Sequence, residues 1–148
     1  MSLAAEILVN LVAIETDTAD IAKNTRVTRA DFFVSLTEGT AANQAQIVWS
    51  DSRVSGGTDT LQLSALSDTR DGAAVTVNLT ALKAIYIKNT GSTHTLTVTG
   101  AYTGSIGPGG VLVNVNPTAT GTASATLYVA STAGATYDIV IVGEGTAI

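Results

Sequence analysis

Apolar positions near the start of the chain recur at Ile7, Leu11, Ile14 and Ile21, a spacing that lays them along one stripe of a helix over residues 3–22. Leu8 and Val12 widen the stripe. Written as heptads, Leu11 and Thr18 take position a, and Ile7, Ile14 and Ile21 take position d. Leu at a with Ile at d favours three or four strands over two, so a parallel trimeric bundle is the preferred form. The same stripe fits a helix lying on its own domain or on a neighbouring subunit. In each case Ile7, Leu11, Ile14 and Ile21 are the predicted interface. Residues 23–31 hold three of the seven basic residues and show no apolar period, so they read as a solvated linker.

From Phe32 onward the period becomes two. Phe32, Val34 and Leu36 alternate with Phe33 and Ser35, and strands are predicted at 45–53, 60–66, 74–79, 82–89, 95–99, 111–115, 125–130 and 136–142. Turn residues punctuate the series at Gly56-Gly57, Asp71-Gly72, Gly91, Gly100, Gly104, the run Gly107-Pro108-Gly109-Gly110, Gly121 and Gly134. No helix-length segment interrupts it, which excludes parallel β-α-β units. The fold class is all-β: an antiparallel β-sandwich of Greek-key or jelly-roll type, preceded by a short N-terminal α-helix. The chain divides into 1–31, helix and linker or arm, and 32–148, the sandwich.

Composition changes this picture in one respect. Charged residues are only 13% of the chain and mean hydropathy is +0.34, so much of the surface carries little charge. Two dozen threonines and 14 glycines fill the gap, a mixture suited to pleated strands and tight turns. Weakly charged, apolar surface on a chain of 148 residues marks interfaces. The net charge of −5, with no run of Lys or Arg, argues against direct nucleic-acid binding. The stretch from Leu3 to Ile14 is interrupted by Glu6 and Asn10 and follows no basic residue. It is too short for a membrane span and unlike a secretory signal, so no membrane partner is expected. With no cysteine there is neither a disulfide nor a thiolate metal site.

Candidate chemistry is sparse. The one histidine, His94, sits in a turn without a nucleophile elbow, which argues against a serine hydrolase. Asp51 with Asp59, and Asp68 with Asp71, are the carboxylate pairs that glycoside hydrolysis would require, but they flank turns where aspartates bond their own backbone. No calcium loop or phosphate-binding motif is present, and no cofactor or metal is expected. Trp49, Tyr86, Tyr102, Tyr128 and Tyr137 would form a sugar-stacking platform if they shared an exposed face; core or inter-subunit anchoring is the competing reading.

Four segments carry a family resemblance: Leu36-Thr37-Glu38-Gly39-Thr40, the run Leu82-Lys83-Ala84-Ile85-Tyr86-Ile87-Lys88-Asn89-Thr90-Gly91, the turn Pro108-Gly109-Gly110, and Tyr137-Asp138-Ile139-Val140-Ile141-Val142-Gly143. Across residues 32–143 the chain resembles head cement, or decoration, proteins of tailed bacteriophages, which have jelly-roll-like sandwiches. The resemblance implies a non-enzymatic virion protein, made in the bacterial cytoplasm and bound to the capsid exterior. It also implies a homo-oligomer, most simply a trimer, that clamps neighbouring major capsid proteins. A trimeric head- or tail-fibre domain binding host carbohydrate is the alternative.

Overall fold

The computed structural model describes residues 3–17, 24–70 and 72–148, and among them every regular element is a strand. Two sheets enclose one core. The larger runs β10 (Val111–Val115), β7 (Ala73–Asn89), β13 (Ala135–Ala147), β4 (Ile47–Ser55), with β6 (Leu66–Arg70) and β11 (Thr122–Ala123) also paired to β7. The smaller runs β5 (Thr58–Gln62), β12 (Thr126–Ala130), β8 (Leu96–Gly100), β9 (Gly104–Ile106). All pairings within these two sheets are antiparallel. Alternation explains the packing: Ile85, Ile87, Ile139 and Ile141 point inward from the large sheet, and meet Leu96, Val98, Leu127 and Val129 from the small one. The run 107–110 makes the turn between β9 and β10, where the Gly110 N–H donates to Gly107 O at 2.9 Å.

The alternation of β7 breaks twice, and each break is a bulge. Against β13, Val142 faces Ala84 but Gly143 faces Leu82; Glu144 faces Ala81 but Gly145 faces Leu79. Lys83 and Thr80 are therefore the extra residues, and a bulge re-aims the side chain it inserts. Lys83 is 0% exposed. Its ammonium donates to Thr118 O at 2.5 Å and Ala119 O at 2.9 Å, and lies 2.8 Å from Glu144 Oε1. The contact with that carboxylate oxygen is an ion pair. One amine thus joins β7, β13 and loop 116–121.

The N-terminal region differs from the expectation. Residues 5–17, predicted as helix, form β1 (Ala5–Asp17), and residues 24–31, predicted as linker, open β2 (Asn24–Glu38). The two make an antiparallel hairpin from Ala5↔Leu36 to Asp17↔Asn24 without a register shift. The physical reason lies in the pairing: β1 holds β-branched residues suited to a strand and β2 offers it thirteen consecutive cross-strand partners, whereas an isolated helix of this length is marginal in water. In a strand, Ile7 and Leu11 point to one face and Ile14 to the other, so the predicted stripe is split. Ile21 lies outside the described residues.

The hairpin is rooted at its base. β3 (Gln44–Ala45) pairs parallel with the end of β2, through Thr37↔Gln44 and Glu38↔Ala45. The Asn43 N–H donates to Pro117 O at 2.7 Å, and the Gln46 N–H to Gly143 O at 2.9 Å. Leu36 and Ala45 are buried with Ala84 and Val142 in a second, smaller cluster outside the main core, against which Ala5, Ile7 and Val34 pack.

Candidate interaction surface

Facing residues of an antiparallel pair share a side, so the register assigns each face of the hairpin. One face carries Ala5, Ile7, Val9, Leu11 and Ala13 with Leu36, Val34, Phe32, Ala30 and Thr28, an uncharged strip. Its basal part lies on the outer side of the large sheet. Further out, Leu11 is 63% exposed, and Val9 and Phe32 are exposed with it. The other face carries Leu8 against Phe33 and Ile14 against Val27, separated by Asn10–Asp31 and Val12–Arg29. Leu8 is 70% exposed and Ile14 is 66% exposed. The Asn10 side-chain amide donates to the Asp31 carboxylate at 2.5 Å.

Beyond its base the hairpin thus exposes large apolar residues on both faces. Between the hairpin base and the large sheet lies an apolar cleft of about 460 Å³, lined by Ile7, Val9, Tyr86, Val113 and Val140. Among the described residues β1 has no strand partner beyond β2, and β2 has none on its outer edge until β3 joins at Thr37. Residues 3–38 contain neither Gly nor Pro, so the usual edge-blunting devices of proline and bulge are missing. A two-stranded hairpin is marginal by itself in water, and this one presents the surfaces of an element that a partner completes.

Of the four predicted interface residues, Leu11 and Ile14 are exposed on the hairpin, on opposite faces, and Ile7 is half-buried against its own sheet. Val27, Phe32 and Phe33 are exposed on the same hairpin and lie outside that predicted set. Their signal is the adjacent pair Phe32-Phe33: consecutive bulky rings in a strand point to opposite sides, which a one-faced strand would not require.

The other candidate groups are held in local contacts. Asp51 and Asp59 flank the Arg53 guanidinium, with Asp51 at 2.9 Å and Asp59 at 2.6 and 2.9 Å. The Tyr137 hydroxyl donates to Asp59 at 2.6 Å. Hydrogen bonding from Arg53, then from Tyr137, outweighs burial and holds the Asp59 carboxyl below its ordinary value, while burial first and Asp59 second push the Tyr137 phenol up. A depressed carboxyl stabilises the fold above its unfolded pKa of about 4, and that contribution disappears as pH falls through the folded value. Asp59→Asn is therefore expected to cost about 1–2 kcal/mol at neutral pH, with the gap to wild type narrowing as the solution is acidified below the ordinary carboxylate range, read by urea unfolding across that pH series.

Asp68 pairs with Arg70 at 2.9 Å, and Asp71 lies outside the described residues. His94 is half-buried in the loop 90–95, and its carbonyl accepts the Asn89 side-chain amide at 2.8 Å. Among the described residues no group of three or more His, Asp or Glu is placed to hold a metal ion. The aromatic platform does not form: Trp49, Tyr102 and Tyr137 are in the core, with the Trp49 indole donating to Ser67 O at 2.9 Å. Tyr86 and Tyr128 are exposed, one on each sheet. No family model, curated protein or solved structure matches the chain.

Proposed function

We propose that the protein is a structural virion component, a cement or decoration protein of a phage head, that works by contact with major capsid proteins and with copies of itself. The observation that carries the reading is the hairpin of β1 and β2, rooted in the body and exposing large apolar residues on both faces. Repeated over a shell, modest contacts of this kind sum through multivalency. The jelly-roll description belongs to the same proposal, and the way the chain passes between the two sheets from β4 to β5, β5 to β6, β7 to β8, β9 to β10, β11 to β12 and β12 to β13 supports it. The trimer is a different matter, because its heptads require a helix at residues 5–17, where the chain forms a strand. The carbohydrate-binding alternative loses its aromatic surface, since Trp49 is buried.

The test is co-sedimentation of the full chain with undecorated heads, together with the heat resistance of the decorated shell. Leu11→Asp and Ile14→Asp each place a charge on the exposed hairpin without entering the core. Each is expected to weaken attachment at least tenfold while the unfolding midpoint stays within about 2 °C of wild type. Wild-type protein that neither sediments with heads nor protects them defeats the proposal.

A further inference from the structure

Among the described residues the outer edge of β2 is unpaired from Asn24 to Leu36. Around Ala30 it reads Val27-Thr28-Arg29-Ala30-Asp31-Phe32-Phe33. We propose that this edge pairs antiparallel with the same edge of a second copy, about a twofold axis through Ala30. The hairpins then join as one four-stranded sheet in the order β1, β2, β2, β1. The inference deepens the reading of the hairpin as an assembly element and rests on it.

Antiparallel pairing about Ala30 sets Arg29 opposite Asp31 of the second copy, and Asp31 opposite its Arg29. Val27 comes opposite Phe33, twice. Opposite charges directly across a ladder attract, and aromatic against β-branched pairs pack well. The rows continue onto β1 by the observed register: Leu8 and Phe33 of one copy line up with Val27 and Ile14 of the other. The result is two apolar rows of four residues flanking two central rows that carry the ion pairs. Asp31, already bonded to Asn10, gains its cation from the second copy. On the reverse face the central row is Leu11, Ala30, Ala30 and Leu11, with small residues at the axis.

Pairing through β1 lacks this complementarity. β1 carries Glu6, Glu15 and Asp17 and no basic residue, so β1 against β1 forms no ion pair across the edge. β3 occupies the edge from Thr37, so the free edge ends on that side at Leu36. Such an isologous, self-complementary interface closes as a dimer.

The test uses the full chain and two charge reversals, with mass read by light scattering and native mass spectrometry. Wild type is expected to be a dimer. Arg29→Asp sets Asp against Asp31 at both symmetric positions, and Asp31→Arg sets Arg against Arg29. Each is expected to weaken self-association on the order of tenfold to a hundredfold. An equimolar mixture of the two variants restores both ion pairs and is expected to form a one-to-one heterodimer, as the double variant R29D/D31R is expected to restore the homodimer. A wild-type monomer or trimer, single variants that dimerise like wild type, or a mixture that does not pair would each overturn the inference. Dimers that ignore phage heads would leave this pairing intact and remove the cement reading. Heads bound by a monomer would do the reverse.

Discussion

Replacing Lys83 with methionine is expected to lower the thermal midpoint by roughly 10 °C, corresponding to about 3 kcal/mol for a domain of this size. Methionine keeps most of the volume, so the loss is electrostatic. It leaves the carbonyls of Thr118 and Ala119 without their donor and Glu144 without its cation. Removing one member of a buried pair costs more than the pair contributes, because the remaining charge stays desolvated. The double variant K83M/E144Q removes that orphaned charge and is expected to recover part of the loss. A calorimetric midpoint within about 2 °C of wild type for the single variant would show that Lys83 is not a structural tie.

The effect should reach the hairpin as well. Loop 116–121, which Lys83 holds, supplies the Pro117 carbonyl to the Asn43 N–H, and Asn43 belongs to the turn that brings β3 onto the end of β2. Loosening that loop frees the root of the hairpin before it unfolds the sandwich. Hydrogen exchange of the amides at residues 37–45 is therefore expected to accelerate in the Lys83 variant under conditions where β12 and β13 remain protected.

The body was legible because its strands have one wet and one dry face. The predicted strand at 111–115 coincides with β10, and 45–53 differs from β4 by two residues at each end. β6 and β9 escaped for physical reasons. Ser67, Asp68, Thr69 and Arg70 present no apolar alternation, and Gly104 reads as a turn although it opens β9. β7 was read as two strands, 74–79 and 82–89. The break in period that suggested two strands is the pair of bulges at Thr80 and Lys83 in a single strand.

The hairpin was the hardest part. A strand apolar on both sides has no period of two, and its apolar positions can satisfy a helical spacing by accident, as Ile7, Leu11 and Ile14 do. What decides the matter is the partner strand, whose first half is polar and resembles a linker. The arrangement of Arg29 and Asp31 about Ala30 is present in the sequence, but it acquires meaning only when residues 24–36 form an edge. The apolar segment singled out near the start of the chain is a strand rather than a helix.

Gly143→Ala is expected to be nearly as damaging as the loss of Lys83, at about 3 kcal/mol, although it adds a single methyl group. A Cβ on Gly143 would lie 2.3 Å from Ala81 O and 3.2 Å from Leu79 Cδ2. The side chain of Leu79 has some freedom, but Ala81 is backbone paired on both sides, to Ala123 of β11 and Glu144 of β13. The bulges demand this close approach: by inserting Lys83 and Thr80, β7 bends toward β13 where Gly143 and Gly145 leave room. Relief of the clash therefore requires the bulge itself to shift, and with it the aim of Lys83 toward loop 116–121. The Gly143 carbonyl also accepts the Gln46 N–H beside β3, so the same shift disturbs the hairpin root. Gly56→Ala is the matching control, because its Cβ meets nothing within 4 Å, and it is expected to change stability by less than about 0.5 kcal/mol. Equal urea midpoints for the two variants would mean that the bulged segment yields to a methyl group, and the rigid link from Lys83 to the hairpin would have to be given up.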